Sequence, residues 1–380
     1  MFYVKRTIRE KFLKSLVPNK VLLLLGARRV GKTEFLNHLV TDLKESILLL
    51  NGEDLQTVDL LKERSIANYK RVLDAYDILI IDEAQKVPDI GNILKLIVDE
   101  IKSIKIIATG SSAFDLSNKV GEPLTGRQIT FRLFPIAQME LSPKESHIQT
   151  MADLEERLVF GTYPELLQIN NREDKMTYLN NLISSYLYRD ILEHENLKKA
   201  NKLIDLLRLI AFQVGQEVSL ENTAKTLGIS KNTVERYLDL LSKVFVIYEL
   251  RGFSRSLKSE ITKMSKWYFF DNGIRNALIA SFNPLNLRND IGQLWENYLF
   301  AERIKFQTYT NLYSNNYFWR TYEQQEIDWV EEREGNLFGF ELKWKGKTSQ
   351  KPPPKWIKTY PEAHFKLIDS SNYLDWILPG

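Results

Sequence analysis

The sequence predicts an α/β protein with a doubly wound parallel sheet, then a helical middle, then a second, smaller α/β region. Three observations predict this order. Short aliphatic segments alternate with helix-spaced segments in the first part, helical spacing dominates from about Met151 to Leu250, and strand-like segments return in the last third. The predicted domains are residues 1–145, 146–255 and 256–380.

The first predicted domain contains up to five strands with helices between them. Val21–Leu25 is entirely aliphatic, as expected for a strand covered on both faces of a parallel sheet. Helices are expected at Lys32–Leu43 and Ile93–Ile101. The remaining strands are expected at Ile47–Leu50, Ile78–Asp82, Ile104–Thr109 and Ile129–Leu133.

A phosphate-binding loop is predicted between the first strand and the first helix. The segment reads Gly26-Ala27-Arg28-Arg29-Val30-Gly31-Lys32-Thr33 and matches G-x-x-x-x-G-K-[ST] at every fixed position. The two glycines let consecutive N–H groups point at one phosphate, and the helix that follows adds its positive end. Lys32 is expected to reach the β- and γ-phosphates, and the Thr33 hydroxyl to ligate magnesium. The sequence therefore predicts ATP and Mg²⁺ as cofactors.

An acidic pair is predicted at the carboxyl end of the third strand. Asp82 and Glu83 follow four aliphatic residues, at the edge where ligands of open α/β sheets bind. Asp82 is expected to hold magnesium, directly or through water, and Glu83 to polarise the attacking water as general base. Because Glu83 has no evident structural role, the pair indicates hydrolysis rather than binding alone.

Further contacts to the γ-phosphate are expected from another strand end and from an arginine. Thr109 or Ser111 would present a hydroxyl there, although an ordinary polar strand end has the same pattern. Arg127 is the best placed arginine for sensing the γ-phosphate in its own or a neighbouring chain, with Arg28 and Arg29 as alternatives. An exposed arginine in a surface ion pair is the competing interpretation.

The bulk composition excludes several classes of site. The chain has no cysteine, which excludes disulfides, thiolate zinc sites and cysteine nucleophiles, and its four histidines lack metal-ligand spacing. A formal net charge of +3 neither demands nor excludes nucleic acid, so a local patch would have to bind it. The N-terminus lacks the apolar core of a signal peptide and no apolar run is long enough to span a bilayer. We therefore expect a cytoplasmic protein without a membrane partner.

A helix-turn-helix unit is predicted in the middle domain. Leu220–Leu227 is its first helix, Gly228 ends that helix, and Ser230 caps a second helix at Lys231–Leu241, before a wing strand. The residues expected to contact DNA are Lys231, Asn232, Thr233, Arg236 and, in the basic cluster after the wing strand, Arg255. Acidic residues on the second helix favour the alternative, a packing role for the unit.

A second candidate centre lies near the C-terminus. Glu326–Val330 and Leu337–Lys343 predict a hairpin in which Glu341 and Lys343 project on one face and Asp328 lies beside them. Glu296, on a predicted helix, can complete the acidic cluster. Carboxylates of this kind bind magnesium in metal-dependent nucleases, with the lysine stabilising developing charge. An exposed charged hairpin, or a fold that keeps these residues without catalysis, gives the same pattern.

Motifs spread over nearly the whole chain carry a resemblance to one family. They are Gly26–Thr33, Ile78–Gln85, Gly110-Ser111-Ser112, Gly126-Arg127, Tyr188-Arg189-Asp190, Gly252–Leu257, Lys266–Gly273, Gly292–Tyr298 and Glu341-Leu342-Lys343. Together they resemble a widespread prokaryotic family of AAA-type ATPases whose C-terminal half is a domain of unknown function. The resemblance implies an AAA-like P-loop core, a winged-helix element in the helical middle and a restriction-endonuclease-like C-terminal core.

The chain departs from this family at two points. The arginine-finger arrangement of AAA rings is not visible, which leaves ring assembly open. Gly273 follows Asn272 where the family more often has a small or hydroxyl residue, and the sequence offers no interpretation of that glycine.

Three functions are consistent with these patterns. We favour an ATP-dependent switch or motor that acts on DNA or on a DNA-bound partner. The alternatives are an ATP-regulated, metal-dependent DNA endonuclease and a nucleotide-gated regulator that binds a protein and never touches nucleic acid. ATP and DNA are therefore the expected partners, and the sequence leaves a protein partner and an oligomer open.

Overall fold

The computed structural model describes residues 3–110, 124–184, 200–254, 264–345 and 351–379. These residues form two compact units. The first unit contains residues 3–135 together with Lys243–Phe245. The second contains residues 136–242 and 246–379.

The first unit is built on a five-stranded parallel sheet. Its strands are β1 (Val21–Leu25), β2 (Ile47–Asn51), β3 (Ile78–Asp82), β4 (Lys105–Gly110) and β5 (Gln128–Arg132), in the spatial order β2-β3-β4-β1-β5. Every residue of β1 and β3 is buried, as their aliphatic sequences predict. Because β4 lies between β1 and β3, the carboxyl ends of these three strands are adjacent. The predicted doubly wound α/β sheet is thus confirmed.

The first described helix of this unit precedes β1, and the others lie between the strands along the chain. The helices are α1 (Arg9–Lys14), α2 (Lys32–Asp42), α3 (Leu55–Lys62), α4 (Ile66–Leu73) and α5 (Ile90–Glu100). The sequence analysis missed α3 and α4, which are short and begin at residues whose side chains cap them: Asp54 accepts from the Gln56 amide and Ser65 from the Asn68 amide. Helix α2 differs, because no side chain caps its first amides. Those amides therefore remain oriented toward the loop before it.

The second unit contains a seven-stranded mixed sheet. Its strands are β6 (Glu217–Val218), β7 (Ile247–Gly252), β8 (Ser265–Phe269), β9 (Asn315–Arg320), β10 (Glu326–Arg333), β11 (Asn336–Leu342) and β12 (His364–Ile368), in the order β12-β11-β10-β9-β7-β8-β6. Strands β7 and β8 form an antiparallel pair, and β7 also pairs with β9 in parallel. One sheet therefore includes strands on both sides of residue 255, and the three-domain division stays a prediction.

The helices of the second unit lie before, between and after the strands of this sheet along the chain. They are α6 (Gln138–Leu141), α7 (His147–Phe160), α8 (Arg172–Leu182), α9 (Ala200–Phe212), α10 (Leu220–Leu227), α11 (Lys231–Lys243), α12 (Asn272–Leu278), α13 (Ile291–Thr310), α14 (Pro354–Thr359) and α15 (Leu374–Ile377). Helix α13 is tied to β8 by the fully buried Asn297, whose side chain accepts from the Phe269 amide at 2.7 Å and donates to the Phe269 carbonyl at 3.1 Å.

The structure explains the glycine that the sequence analysis left uninterpreted. A Cβ at Gly273 would lie 2.0 Å from the Phe160 carbonyl oxygen, so no larger residue fits without moving α7. The neighbouring Asp271 carboxylate accepts hydrogen bonds from the amides of Thr162 and Gly273, at 2.7 and 2.8 Å. Burial raises the pKa of Asp271 to about 6 against these hydrogen bonds.

No helix in the described ranges combines the length and the hydropathy needed to cross a membrane. The predicted cytoplasmic location remains a prediction.

Candidate functional site

The loop between β1 and α2 has the backbone geometry of a phosphate cradle. Gly31 has φ 93° and Arg29 has φ 65°, both in the left-handed region, so the chain curls back on itself before α2. Gly26 begins the loop, and a Cβ there would lie 2.2 Å from the Leu133 carbonyl oxygen. Ala27 and Val30 are buried beneath the loop. The two glycines of the motif are thus required by the local backbone.

Lys32 lies over this loop. Its side chain is 5% exposed, and its Nζ donates to the carbonyl oxygens of Gly26 at 3.0 Å and Ala27 at 3.2 Å. A buried ammonium is costly unless it has hydrogen-bond acceptors. The loop therefore positions a cation at its centre, where phosphate oxygens would be attracted to it.

The acidic pair at the end of β3 lies beside the loop. The Thr33 hydroxyl donates to Asp82 Oδ2 at 2.7 Å. The Thr109 hydroxyl donates to the other oxygen, Asp82 Oδ1, and accepts from the Glu83 amide at 3.0 Å. The hydroxyl and carboxylate oxygens that magnesium prefers are therefore side by side, and these residues fit such an ion. Thr33 and Asp82 are the residues that would hold it.

Glu83 has an unusual backbone conformation. Its φ of 48° and ψ of 43° lie in the left-handed region, which costs a residue other than glycine about 1–3 kcal/mol. The half-buried carboxylate accepts from Gln85 Nε2 at 2.5 Å. Backbone strain of this kind is concentrated at functional sites.

The predicted γ-phosphate contacts have different outcomes. The Thr109 hydroxyl is engaged with Asp82 and Glu83 and is fully buried, so its observed role is to hold the acidic pair. Contact between Thr109 and the γ-phosphate remains a prediction. Ser111 lies outside the described residues.

Arg127 lies at the wrong edge of the sheet for the role predicted within its own chain. It immediately precedes β5, and the first residue of that strand, Gln128, pairs with Val21 at the amino end of β1. The phosphate loop follows the opposite, carboxyl end of β1. The Arg127 guanidinium instead bonds Asp99 Oδ1 at 2.7 Å. The prediction that Arg127 senses the γ-phosphate in cis is therefore wrong, and action on a neighbouring chain remains a prediction.

The two loop arginines are oriented outward to different extents. Arg29 is exposed, and Arg28 is half-buried with its Nη2 3.9 Å from Glu53 Oε1. Both remain candidates for contact with nucleotide phosphates.

Two residues that the sequence analysis missed brace the loop and the acidic pair. Arg6 is buried, and its two Nη atoms donate to the carbonyl of Val30 at 2.9 Å and that of Phe134 at 2.6 Å. Gly52 donates its amide to the Asp82 carbonyl at 2.8 Å, and a Cβ there would lie 2.4 Å from the Glu83 carbonyl oxygen. Neither residue belongs to a motif, so no sequence signal identified them.

We expect Arg6→Met to weaken ATP binding about tenfold, because it leaves the buried Val30 carbonyl without this donor and loosens the loop, a loss of about 1–3 kcal/mol. Titration of the variant with a fluorescent ATP analogue measures the effect. Arg9→Met is the matched control, since Arg9 makes an exposed ion pair with Asp42 outside the loop. If both variants bound ATP with the affinity of the wild type, Arg6 would not contribute to ATP binding.

The predicted DNA-contacting residues lie along helix α11. Lys231, Asn232 and Arg236 are exposed, and Thr233 is half-buried with its amide donating to Ser230 Oγ at 3.2 Å. The Ser230 hydroxyl therefore caps the helix as the sequence predicts. Arg255 lies outside the described residues. The opposite face of α11 is buried, through Val234, Tyr237, Leu238, Leu240 and Leu241.

The hairpin β10–β11 brings the C-terminal candidates together. Its register places Asp328 opposite Glu341, and the Leu342 amide donates to Asp328 Oδ2 at 2.9 Å. Lys343 Nζ lies 2.8 Å from Glu341 Oε1 and 3.6 Å from Asp328 Oδ2. The predicted juxtaposition of these three residues is therefore present in the structure.

Glu296 joins the cluster through residues that the sequence analysis did not assign to it. Its Oε1 accepts from the Tyr268 hydroxyl at 2.5 Å and lies 4.0 Å from Lys266 Nζ. Lys266 is almost completely buried and also pairs with Glu326. The cluster thus contains two lysines, and each lies between carboxylates.

Two carboxyl groups of this cluster have raised pKa values because they are buried and close to other charges. Burial raises the pKa of Glu296 to about 7, with Lys266 opposing and Asp328 adding to the shift. Burial and Asp328 also raise the pKa of Glu341. No group of three or more His, Asp or Glu side chains in the described part of the chain is arranged to hold a metal ion. Lysine ammonium groups are the cations that the carboxylates face.

We expect Glu296 to make the stability of the second unit fall as pH rises from about 4.5 to 7. The folded state holds the Glu296 proton more tightly than the unfolded chain does, so this contribution is fully present below the unfolded pKa and lost by about pH 7. The free energy of unfolding of the wild type relative to Glu296→Gln should change by up to about 3 kcal/mol over that range. Urea titrations followed by tryptophan fluorescence measure it, since all seven tryptophans lie in the second unit. If the difference in free energy of unfolding between the wild type and Glu296→Gln did not change with pH, the raised pKa of Glu296 would be contradicted.

Models of known protein families match three parts of the chain. Residues 18–142 match the family model of an AAA domain, and residues 291–368 match a domain of unknown function. Residues 151–288 match a second domain of unknown function.

Two relatives and one solved structure are similar to this chain at low sequence identity. An uncharacterized protein of Mycobacterium tuberculosis is 25% identical over 90% of this chain and 74% of its own length. An uncharacterized protein of Methanocaldococcus jannaschii is 26% identical over 76% of this chain and 67% of its own. The Walker-type ATPase of Pyrococcus abyssi has the same fold, with a TM-score of 0.52 at 17% identity over 73% of this chain and 96% of that one.

The parallel sheet, the phosphate loop and the matched domains agree with one another. The first unit has the fold of Walker-type ATPases and carries the loop with which such proteins bind ATP. The chain therefore contains an AAA-type P-loop domain followed by a C-terminal domain of unknown function.

Proposed function

We propose that this chain hydrolyses ATP with magnesium and uses the reaction as a switch or motor that acts on DNA or on a DNA-bound partner. The observation that carries the hydrolysis is the arrangement at the end of β3. The Thr33 hydroxyl, the Asp82 carboxylate and the Thr109 hydroxyl form one hydrogen-bonded row, and the strained Glu83 follows it. A protein that only binds nucleotide has no need of a strained carboxylate beside its phosphate loop.

Each residue of the site has a role in this proposal. Lys32 and the loop amides bind the β- and γ-phosphates, and Thr33 and Asp82 hold the magnesium ion. Magnesium supplies charge neutralisation at the phosphate oxygens. Glu83 accepts the proton of the attacking water, and its contact with Gln85 fixes the carboxylate.

The second unit supports the proposed action on DNA. Helix α9, strand β6, helices α10 and α11 and the hairpin β7–β8 follow one another in the order of a winged helix. In such a unit the second helix of the helix-turn-helix contacts the major groove, and α11 exposes Asn232 and Arg236 on one side. The same helix also exposes Glu235 and Asp239, three residues from Asn232 and Arg236 respectively, and these carboxylates oppose contact with DNA phosphates.

Measurement of ATP hydrolysis with and without duplex and single-stranded DNA tests the proposal. We expect DNA to raise the rate severalfold in the wild type, and Arg236→Glu to abolish the rise while leaving the rate without DNA unchanged. The affinity for DNA should fall steeply with salt, because binding releases counterions from the phosphates. If DNA left the rate of ATP hydrolysis unchanged at every salt concentration, this proposal would be wrong. The nucleotide-gated regulator that binds a protein partner would then be the favoured function.

A metal-dependent nuclease is the second candidate function, because the hairpin gathers Asp328, Glu341 and Lys343 on one face. It has the D…E-x-K order of restriction-endonuclease-like folds. The pairing of Glu296 and Glu326 with Lys266 opposes it, since that ammonium competes with a divalent ion for the same carboxylates. Magnesium-dependent cleavage of DNA that is lost in both Asp328→Ala and Lys343→Ala would support the nuclease, and cleavage that both variants retain would exclude this assignment.

A further inference from the structure

We infer that the Lys266 ammonium takes the place of a divalent ion in the carboxylate cluster of the second unit, so that this cluster binds no metal and cannot support metal-dependent cleavage of DNA. The cluster consists of the carboxylates Glu296, Glu326, Asp328 and Glu341 and the ammonium groups of Lys266 and Lys343. The restriction-endonuclease-like core that the sequence resembles implies magnesium at such carboxylates. The inference concerns the second candidate function alone and is independent of the proposed ATP hydrolysis.

Lys266 is fixed in the interior of the sheet. Its strand, β8, pairs with β7 on one side and with β6 on the other, where Lys266 lies opposite Leu250 and Glu217. The residue is 3% exposed, and its Nζ lies 5.1 Å from the centroid of the Phe318 ring. Because the backbone is paired on both sides and the side chain is enclosed, the ammonium cannot swing outward to make room for another cation.

The Lys266 ammonium lies between carboxylates from two different elements. It donates to Glu326 Oε1 on β10 and lies 4.0 Å from Glu296 Oε1 on α13. A buried ammonium is costly without such partners, so these contacts hold it in place. A divalent ion on the same oxygens would lie within about 4 Å of the ammonium, and two cations that close together in a buried site repel each other strongly. One cation therefore excludes the other.

Other donors of the protein use the remaining parts of the cluster. Glu296 Oε1 accepts from the Tyr268 hydroxyl at 2.5 Å. Lys343 Nζ lies 2.8 Å from Glu341 Oε1 and 3.6 Å from Asp328 Oδ2. Magnesium needs oxygens that face it at about 2.1 Å, in place of such donors. Four carboxylates compensated by two ammonium groups therefore do not fit the ion that a nuclease requires.

An internal ammonium performs only one part of what a metal ion does. It compensates the charge of the carboxylates and joins β8, β10 and α13 through Lys266, Glu326 and Glu296. It cannot polarise a phosphodiester as a Lewis acid or lower the pKa of a bound water toward neutrality, as a divalent ion does. The cluster thus retains the structural role of a metal centre without its hydrolytic chemistry.

Urea unfolding of the full chain with and without Mn²⁺ tests the inference. Tryptophan fluorescence reports the second unit, where all seven tryptophans lie. Nucleotide is left out, so the outcome does not depend on ATP hydrolysis. We expect Mn²⁺ to leave the unfolding midpoint of the wild type unchanged and to raise that of Lys266→Met, because an ion can then take the place of the lost ammonium.

Tb³⁺ luminescence measures binding of an ion directly. Tb³⁺ is a hard cation that binds carboxylates and emits when a nearby tryptophan is excited, and Trp295 and Trp329 adjoin Glu296 and Asp328 in the sequence. We expect Lys266→Met to bind Tb³⁺ at least about tenfold more tightly than the wild type, since one neighbouring positive charge has been removed.

Matched controls locate the ion. Lys355→Met also removes one lysine, an exposed one paired with Glu323, and it should respond to both ions like the wild type. Addition of Glu326→Gln to Lys266→Met should abolish the gain, since it removes the carboxylate that bonds the ammonium. Lys266→Gln, whose side chain is polar but uncharged, should respond as Lys266→Met does, so the test does not depend on the folding of one variant.

Two results would overturn the inference. If Mn²⁺ raised the unfolding midpoint of the wild type as much as that of Lys266→Met, the ammonium and the ion would coexist, and the metal-dependent nuclease would be favoured again. If neither the wild type nor either Lys266 variant responded to Mn²⁺ or Tb³⁺, the Lys266 ammonium would not be the group that excludes a metal.

Discussion

Glu83→Gln is expected to lower the rate of ATP hydrolysis by at least about a hundredfold while leaving ATP affinity close to that of the wild type. A general base contributes only when water attacks, whereas binding depends on the loop and on Lys32. Single-turnover hydrolysis measures the first quantity, and equilibrium titration with a fluorescent ATP analogue measures the second.

The substitution is conservative at this position. Glutamine has the length of glutamate, and its amide oxygen can still accept from Gln85 Nε2, the contact that fixes the side chain in the wild type. The backbone at φ 48° is equally strained for both residues. The chemical difference is therefore confined to the ability to accept a proton.

Lys32→Ala is the comparison that separates binding from chemistry. It removes the cation at the centre of the loop, so ATP affinity and hydrolysis should both be lost. A Glu83→Gln variant that hydrolyses ATP at the wild-type rate would show that another group activates the water. If the Glu83→Gln variant failed to bind ATP, the Glu83 carboxylate would be needed for the structure of the phosphate loop.

The parts of the site that the sequence predicted are those encoded locally. The motif Gly26–Thr33 and the segment Ile78–Asp82 each combine a buried strand with the residues directly after it, so composition alone identifies them. The hairpin that holds Asp328 and Glu341 is local as well. Its turn at Glu334 and Gly335 has two residues with positive φ, and the register of the strands follows from that turn.

The parts that the sequence did not predict depend on contacts between distant segments. Arg6 donates to the Phe134 carbonyl across most of the first unit, and Lys266 meets Glu326 from another strand of the sheet. Neither hydrophobic periodicity nor a sequence motif predicts contacts between such distant residues. The misplacement of Arg127 has the same origin: a position just before β5 becomes the far edge of the sheet only once β5 is known to run parallel to β1.

Arg303→Met is expected to destabilise the second unit by about 3–5 kcal/mol, the largest effect on stability that we predict. Arg303 Nε and Nη2 donate to the two oxygens of Glu331 at 2.6 and 2.9 Å, and Glu331 is completely buried. Gln307 and Trp329 also donate to Glu331, but neither carries a charge. Arg333 is a second cation beside Glu331, with its Nε 3.2 Å from Oε2, but its side chain is partly exposed. Removal of the Arg303 guanidinium therefore takes the buried, bidentate cation away from a buried carboxylate, which costs more than the two lost hydrogen bonds alone.

The double variant Arg303→Met, Glu331→Leu shows whether the carboxylate left behind is the cause. Because it removes the buried carboxylate together with Arg303, it should recover part of the lost stability. The recovery is partial because Arg333, Gln307 and Trp329 lose Glu331 as an acceptor. Urea unfolding followed by tryptophan fluorescence measures both variants in the second unit, where all the tryptophans lie. If the double variant were as unstable as Arg303→Met alone, the loss would come from the contacts of the Arg303 guanidinium with the rings of Phe306 and Trp376 rather than from the carboxylate left behind.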